Sequence, residues 1–180
     1  LSAPLLLTDL PGIHWLTGFS GPFAVVAVFP DRALFITDRR YAEQAAQEVS
    51  PQFEILFLRG ELSSLLAPYF KQYSQVLVED TIALSRYKAL EAGWPGMNLE
   101  GVPSPVTRLR RIKDRGEVAK IEAVLRLTEE VMVYTAAVLK PGMREREVAG
   151  SMERYARLRG VEGPSFPSIV ASGPRSSMPH

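Results

Sequence analysis

The sequence contains no cysteine. That excludes a disulfide framework, a thiolate nucleophile and any zinc site built on sulfur. Histidine is nearly absent as well, with only His14 and His180. No apolar run approaches the roughly 18 residues of a membrane span. Leu1 to Leu7 lack a basic start, and Asp9 follows closely, so no secretory signal is expected. A dominant charge is also missing, since 21 Lys and Arg against 20 Asp and Glu give a net +1. These absences set the expectation of a soluble, cytoplasmic protein without a membrane or nucleic-acid partner.

What is present is ordinary globular composition, 180 residues with 46% hydrophobic and 23% charged side chains. A chain of this length can support one good core or two modest ones. Its charge is unevenly spread. Residues 1–107 carry seven basic and eleven acidic side chains, and residues 108–180 carry fourteen and nine. Arg108, Arg110, Arg111, Lys113 and Arg115 supply part of that basic excess. A basic run can bind nucleic acid, but a solvated linker is the commoner cause, and no aromatic residue interleaves these charges.

Short apolar runs bounded by Gly, Pro and Asp predict strands at Pro4–Thr8, Phe23–Phe29 and Ala33–Thr37, and further strands are expected at Phe53–Leu58, Val76–Glu79 and Asn98–Val102. Pro30-Asp31-Arg32 predicts a hairpin turn between the second and third. Helices are expected from an Asp38 cap to Val49, over Glu61–Phe70 and over Leu84–Ala92. Strands alternating with helices from Ala33 onward predict an α/β layer with a mixed sheet, parallel after an antiparallel start.

The pattern then changes. Pro103-Ser104-Pro105 interrupts regular structure, which marks residues 1–102 as one domain and 103–113 as a linker. From Asp114, the positions Val118, Ile121, Leu125, Thr128, Met132, Thr135 and Leu139 recur at spacings of three and four, one stripe of a long helix. Asp114 and Glu117 are spaced as a capping box. A second helix is expected over Glu145–Arg159, with Val148, Met152 and Tyr155 inward, then a strand over Ser165–Ser172. Two helices and one strand leave that strand without a partner, so residues 114–180 read as the start of an incomplete domain.

Catalytic signals are sparse. The glycines of Gly12 to Gly21 lack the lysine and spacing of a phosphate loop. His14, beside Trp15 in that stretch, reads as structural or solvated. No acid follows Glu162, so nothing between Gly163 and the end except His180 can ligate a metal. Ser176 and Ser177 show no nucleophile elbow.

Several stretches, in order along the chain, resemble the prolidase and aminopeptidase P family of pita-bread metallopeptidases. Ile13-His14-Trp15-Leu16-Thr17-Gly18-Phe19-Ser20-Gly21 is similar to its aromatic-Leu-Thr-Gly-Phe segment. Ile36-Thr37-Asp38-Arg39-Arg40-Tyr41 is similar to its Thr-Asp-Gly-Arg-Tyr, with Arg39 in place of glycine. Leu109 to Asp114 with Glu117 resembles the linker that opens the catalytic domain. Leu139-Lys140-Pro141-Gly142-Met143 with Glu145 resembles the turn between its first helices, with Arg144 where Thr is common. Ser165 to Gly173 and Met178-Pro179-His180 resemble its first catalytic strand and the histidine after it.

The resemblance implies a creatinase/prolidase-type N-terminal domain followed by the truncated start of an α+β pita-bread domain. It implies a metal-dependent exopeptidase that cleaves Xaa-Pro bonds in short proline-containing peptides, usually as a homodimer. Two divalent ions (Mn, Co or Zn) are held in that family by two Asp, one His and two Glu, all beyond the position matching His180. No metal is therefore expected on residues of this chain, and the 180 residues by themselves are expected to be inactive. His180 matches a histidine that binds substrate and stabilises the transition state, and Phe166 and Ile169 match positions lining the proline pocket. Two alternatives stay open, a creatinase-like amidinohydrolase and a non-catalytic pita-bread binding module.

Overall fold

A computed structural model of the chain describes residues 3–178. It divides into two compact units, one ending at Ile112 and the other beginning at Lys113.

The first unit is built on six strands, β1 (Leu5–Leu7), β2 (Val25–Val28), β3 (Ala33–Thr37), β4 (Glu54–Phe57), β5 (Gln75–Glu79) and β6 (Asn98–Val102). They form one sheet in the order β4-β3-β2-β1-β5-β6. Only β2 runs against its neighbours, β1 and β3, while β3–β4, β1–β5 and β5–β6 are parallel. The hairpin expected at residues 30–32 is present, closed by the Phe29 N–H donating to the Arg32 carbonyl at 2.8 Å. The parallel pairs connect through helices, as a two-residue turn cannot reverse a parallel connection.

Nearly continuous apolar strands imply a sheet buried on both faces, and this one is. Leu6, Val25, Ala27, Leu34, Ile36, Val76 and Val78 pack on one side under α3 (Leu62–Phe70) and α4 (Leu84–Gly93). Leu5, Leu7, Val26 and Phe35 face the other way, under α1 (Leu10–Thr17), α2 (Ala42–Glu48) and α5 (Pro105–Leu109). Strand alternation thus produces a three-layer α/β/α unit with two cores. On the first face Phe70 packs against Trp94 with ring centroids 4.8 Å apart and the planes tilted, and the indole N–H of Trp94 donates to the Ser63 carbonyl.

Two helices here are absent from the sequence-based expectation. The segment Leu10–Thr17 coils because the Asp9 carboxylate accepts the Gly12 N–H at 2.9 Å and Pro11 suits the first turn. Gly18, at φ +88°, then stops it. Pro105, which interrupts a strand, starts the short helix α5 for the same reason. Its Val106 is buried in the second core, so part of the stretch 103–113 packs on the sheet.

Gly18 is doubly required. Besides its left-handed φ, a Cβ there would lie 2.7 Å from the Glu48 carbonyl oxygen. Gly18→Ala is therefore expected to destabilise the first unit by about 1–3 kcal/mol, read as a lower urea midpoint at unchanged slope.

The second unit contains α6 (Arg115–Val138) and α7 (Glu145–Arg157). The capping box forms as expected, with Glu117 N–H on Asp114 Oδ1 and Asp114 N–H on Glu117 Oε2, both at 2.8 Å. Gly142 and Gly160 adopt φ of +89° past the ends of the two helices. Tyr134 and Tyr155 stack at 4.1 Å across them, Arg159 covers Tyr155 at 3.5 Å, and Glu130 pairs with Arg159.

Two expectations need correction in this unit. The stripe of Val118, Ile121, Leu125, Thr128, Met132, Thr135 and Leu139 is not the packed face, since only Thr135 is buried. Helix α7 lies instead on the adjacent face of Leu127, Val131, Tyr134 and Val138. The helix is apolar on two faces, and one short partner covers only one. The strand expected at Ser165–Ser172 is also absent; the segment is irregular up to a 3-10 turn at Gly173–Ser177. Among the described residues no strand of this unit is available to pair with it, and an unpaired ladder does not form.

Candidate substrate groove and the polar edge of the first unit

The irregular segment gains its position from side chains of α7. Ser168 Oγ donates to Glu153 at 2.8 Å, the Ser172 N–H donates to Glu145 at 2.9 Å, and Arg175 pairs with Glu145 at 3.2 Å. Arg157 holds the preceding turn through the Glu162 carbonyl at 2.7 Å. Between this segment and the two helices lies a groove of about 430 Å³. Val124, Leu127, Val131 and Met152 form its apolar walls, and Phe166 and Ile169 line it from the segment.

Phe166 and Ile169 are thus brought to one cavity, and both stay open, at 66% and 48% exposure. Apolar walls with a few convergent polar groups suit a ring or short aliphatic side chain of a ligand. His180, together with Pro179, lies outside the described residues. Of the α6 residues on the groove, Val124, Leu127 and Val131 lie off the stripe of Val118 to Leu139, and Thr128 lies on it. The 3.6-residue period of Val124, Leu127 and Val131 was the available signal.

His14 and Trp15 lie on α1 in the first unit. His14 Nδ1 is 3.0 Å from the Phe19 carbonyl, and Trp15 is 39% exposed. Beside them the Glu48 carboxylate accepts the Ser20 N–H at 2.7 Å and the amide of Gln44. The Ser20 backbone donor, then Gln44, holds the Glu48 carboxyl below its ordinary pKa. Asp31 is lowered by the hydrogen bond from Arg32, and Asp38 by the Arg40 backbone N–H and then its guanidinium.

For all three, the folded pKa lies below the unfolded one. Their stabilisation is complete above the unfolded carboxylate range and disappears as pH falls through the lowered values. Melting followed by circular dichroism is expected to be flat above the unfolded carboxylate range and to fall as pH drops below it through the lowered values. The fall is expected to be shallow, as these groups are solvent-exposed, and Glu48→Gln should remove part of it.

Among the described residues, no three His, Asp or Glu side chains come together in a way that could hold a metal ion. No helix among them is long and apolar enough to cross a membrane.

A mixed, doubly covered sheet defines an α/β unit, and a helical unit with an open groove follows it along the chain. Residues 3–112 match the Creatinase/Prolidase N-terminal domain family, and residues 119–180 match Metallopeptidase family M24. The chain belongs to the creatinase/prolidase family.

The chain is similar to YqhT, an uncharacterized peptidase of Bacillus subtilis, with 32% identity over 98% of this chain and 50% of the relative. An Xaa-Pro dipeptidase of Pyrococcus furiosus is 29% identical over 74% of this chain and 32% of its own length. Among solved structures, an Xaa-Pro dipeptidase from Bacillus anthracis superposes with a TM-score of 0.90 at 30% identity, covering 98% of this chain and 50% of that one. An X-Pro aminopeptidase from Thermotoga maritima gives 0.87 at 28% identity, over 99% and 53%. The chain spans about half the length of these relatives, apart from the Pyrococcus furiosus dipeptidase, of which it covers a third.

Proposed function

We propose that this chain is part of a metal-dependent exopeptidase that hydrolyses Xaa-Pro bonds in short peptides, of prolidase or aminopeptidase P type. The observation that carries this is the succession of both family segments in one chain, with 30% identity to an Xaa-Pro dipeptidase over 98% of it. Phe166 and Ile169 line an apolar groove, which supports their assignment to the wall that receives the proline ring. His180 is assigned to the substrate, as a donor to negative charge that develops on the scissile carbonyl. The working form is a cytoplasmic homodimer loaded with two divalent ions, manganese, cobalt or zinc, on residues that the described part does not contain.

The test is hydrolysis of an Xaa-Pro dipeptide and an Xaa-Pro tripeptide by the product of the complete gene, before and after chelation and readdition of manganese. Proline released only with metal present supports the proposal. Creatine hydrolysis without metal, or no hydrolysis with metal bound, would replace it. The 180-residue chain on its own is expected to bind no stoichiometric manganese in calorimetry. Tight one- or two-site binding would mean that ligands had been overlooked.

A further inference from the structure

Every strand of the first unit except β2 runs the same way, so the strand ends Leu7, Thr37, Phe57, Glu79 and Val102 share one edge of the sheet. Open α/β sheets take ligands at that edge, where the connections from two adjacent parallel strands leave to opposite faces. The first unit has two such points. After β1 the chain enters α1 on one face, and after β5 it enters α4 on the other. There the Glu79 carboxylate accepts the N–H groups of Thr8 at 2.6 Å and Asp9 at 2.8 Å, which ties the strand ends together. The second point lies at β3 and β4, which lead into α2 and α3 on opposite faces.

Beside this second point, on the face of α3 and α4, the edge holds a cavity of about 290 Å³. Phe23 and Val25 from the start of β2 and Leu58 from the end of β4 give it an apolar wall. Glu61, Ser63 and Arg86, from the starts of α3 and α4, give it polar groups. The two helices meet closely at Ser63, where a Cβ on Gly93 would collide with the hydroxyl. Arg86 is half-buried, and neither it nor Glu61 enters an ion pair among the described residues. Glu61 holds the N-cap position of α3 but makes no capping hydrogen bond. Charges of opposite sign thus line one small cavity without pairing with each other.

We propose that this cavity binds a free amino acid with an apolar side chain. The Arg86 guanidinium offers a carboxylate two parallel donors, and the Ser63 hydroxyl can add a third. The Glu61 carboxylate accepts from an ammonium group. Phe23, Val25 and Leu58 receive the side chain, which gains by leaving water. A simple anion would meet Arg86 but be opposed by Glu61, and an amine would meet Glu61 but be opposed by Arg86. A zwitterion satisfies both. The volume lies just below the range of roughly 300–1,000 Å³ that suits drug-sized ligands, which matches a molecule of amino-acid size. The site belongs to the first unit alone and does not rest on the peptidase reading.

The test is a titration of the isotope-labelled 180-residue chain with L-leucine, followed by the shifts of its backbone amides in nuclear magnetic resonance. Saturable shifts at Glu61, Ser63 and Arg86 are expected in the millimolar range, the affinity open to a ligand of so few atoms. Isocaproate lacks the ammonium group and isoamylamine lacks the carboxylate, and each is expected to bind about tenfold more weakly. Glu61→Gln should weaken leucine by about tenfold and leave isocaproate no weaker, whereas Arg86→Gln should weaken both. A variant that merely failed to fold would lose the spectrum of the whole unit and could not sort the probes in this way. Shifts that do not saturate, that fall on other residues, or that are equal for the three probes would overturn the proposal. Parental leucine affinity in Arg86→Gln would equally overturn it.

Discussion

In the complete enzyme, His180→Ala is expected to lower kcat on an Xaa-Pro dipeptide by about 10²–10³ and to leave metal content per subunit unchanged. The size follows from losing one preorganised donor to charge that develops only in the transition state, about 3–4 kcal/mol. Such a loss appears in kcat and kcat/KM together and little in KM. Substrate positioning alone would raise KM with kcat preserved, and a metal ligand would empty or loosen the site. Parent and variant are to be purified together, with metal counted per subunit before kinetics. Unchanged kcat makes His180 structural, and lost metal makes it a ligand; either result removes the role proposed for it.

Phe35→Ala is expected to cost the first unit about 3–5 kcal/mol. Phe35 is the central residue of β3, between β4 and β2, is completely buried, and meets Phe19 edge-on at 4.9 Å. Truncation leaves a cavity between β3 and the loop that follows α1, where Gly18 and the Glu48 carbonyl allow little collapse. The loss is comparable with the roughly 5–15 kcal/mol total stability of a domain. Urea unfolding of parent and variant reads it as a shift in midpoint at constant slope. A shift worth under about 1 kcal/mol would mean that the ring is not packed as described. Phe35→Leu, which refills most of the volume, should recover much of the difference.

All six strands of the first unit were legible in the residues, β1 to β5 as short apolar runs and β6, with only Leu99 and Val102 apolar, from its place after the turn that follows α4. A strand buried on both faces has no other way to read. The hairpin and the capping box at Asp114 were equally local, as a turn and a cap are each satisfied within about four residues. Helix α1 was hidden by the glycines on either side of His14, although Asp9 and Pro11 carried its start signal. The stretch from Ser165 to Ser172 has a strand's composition but lacks a neighbour, and a strand exists only as a pair.

Three features belong to the tertiary structure. Which face of α6 packs was decided by α7, since the helix offers two apolar faces and the partner has room on one. That choice made the groove, bringing Phe166 and Ile169 opposite Val124 and Val131, forty residues away in the chain. Glu79 ends β5 after the apolar run Val76 to Val78 and says nothing of its role in one dimension. Only the parallel register of β1, β5 and β6 places its carboxylate against the amides of Thr8 and Asp9. Local patterns record what each segment satisfies by itself, and long-range pairing decides which buried polar groups meet.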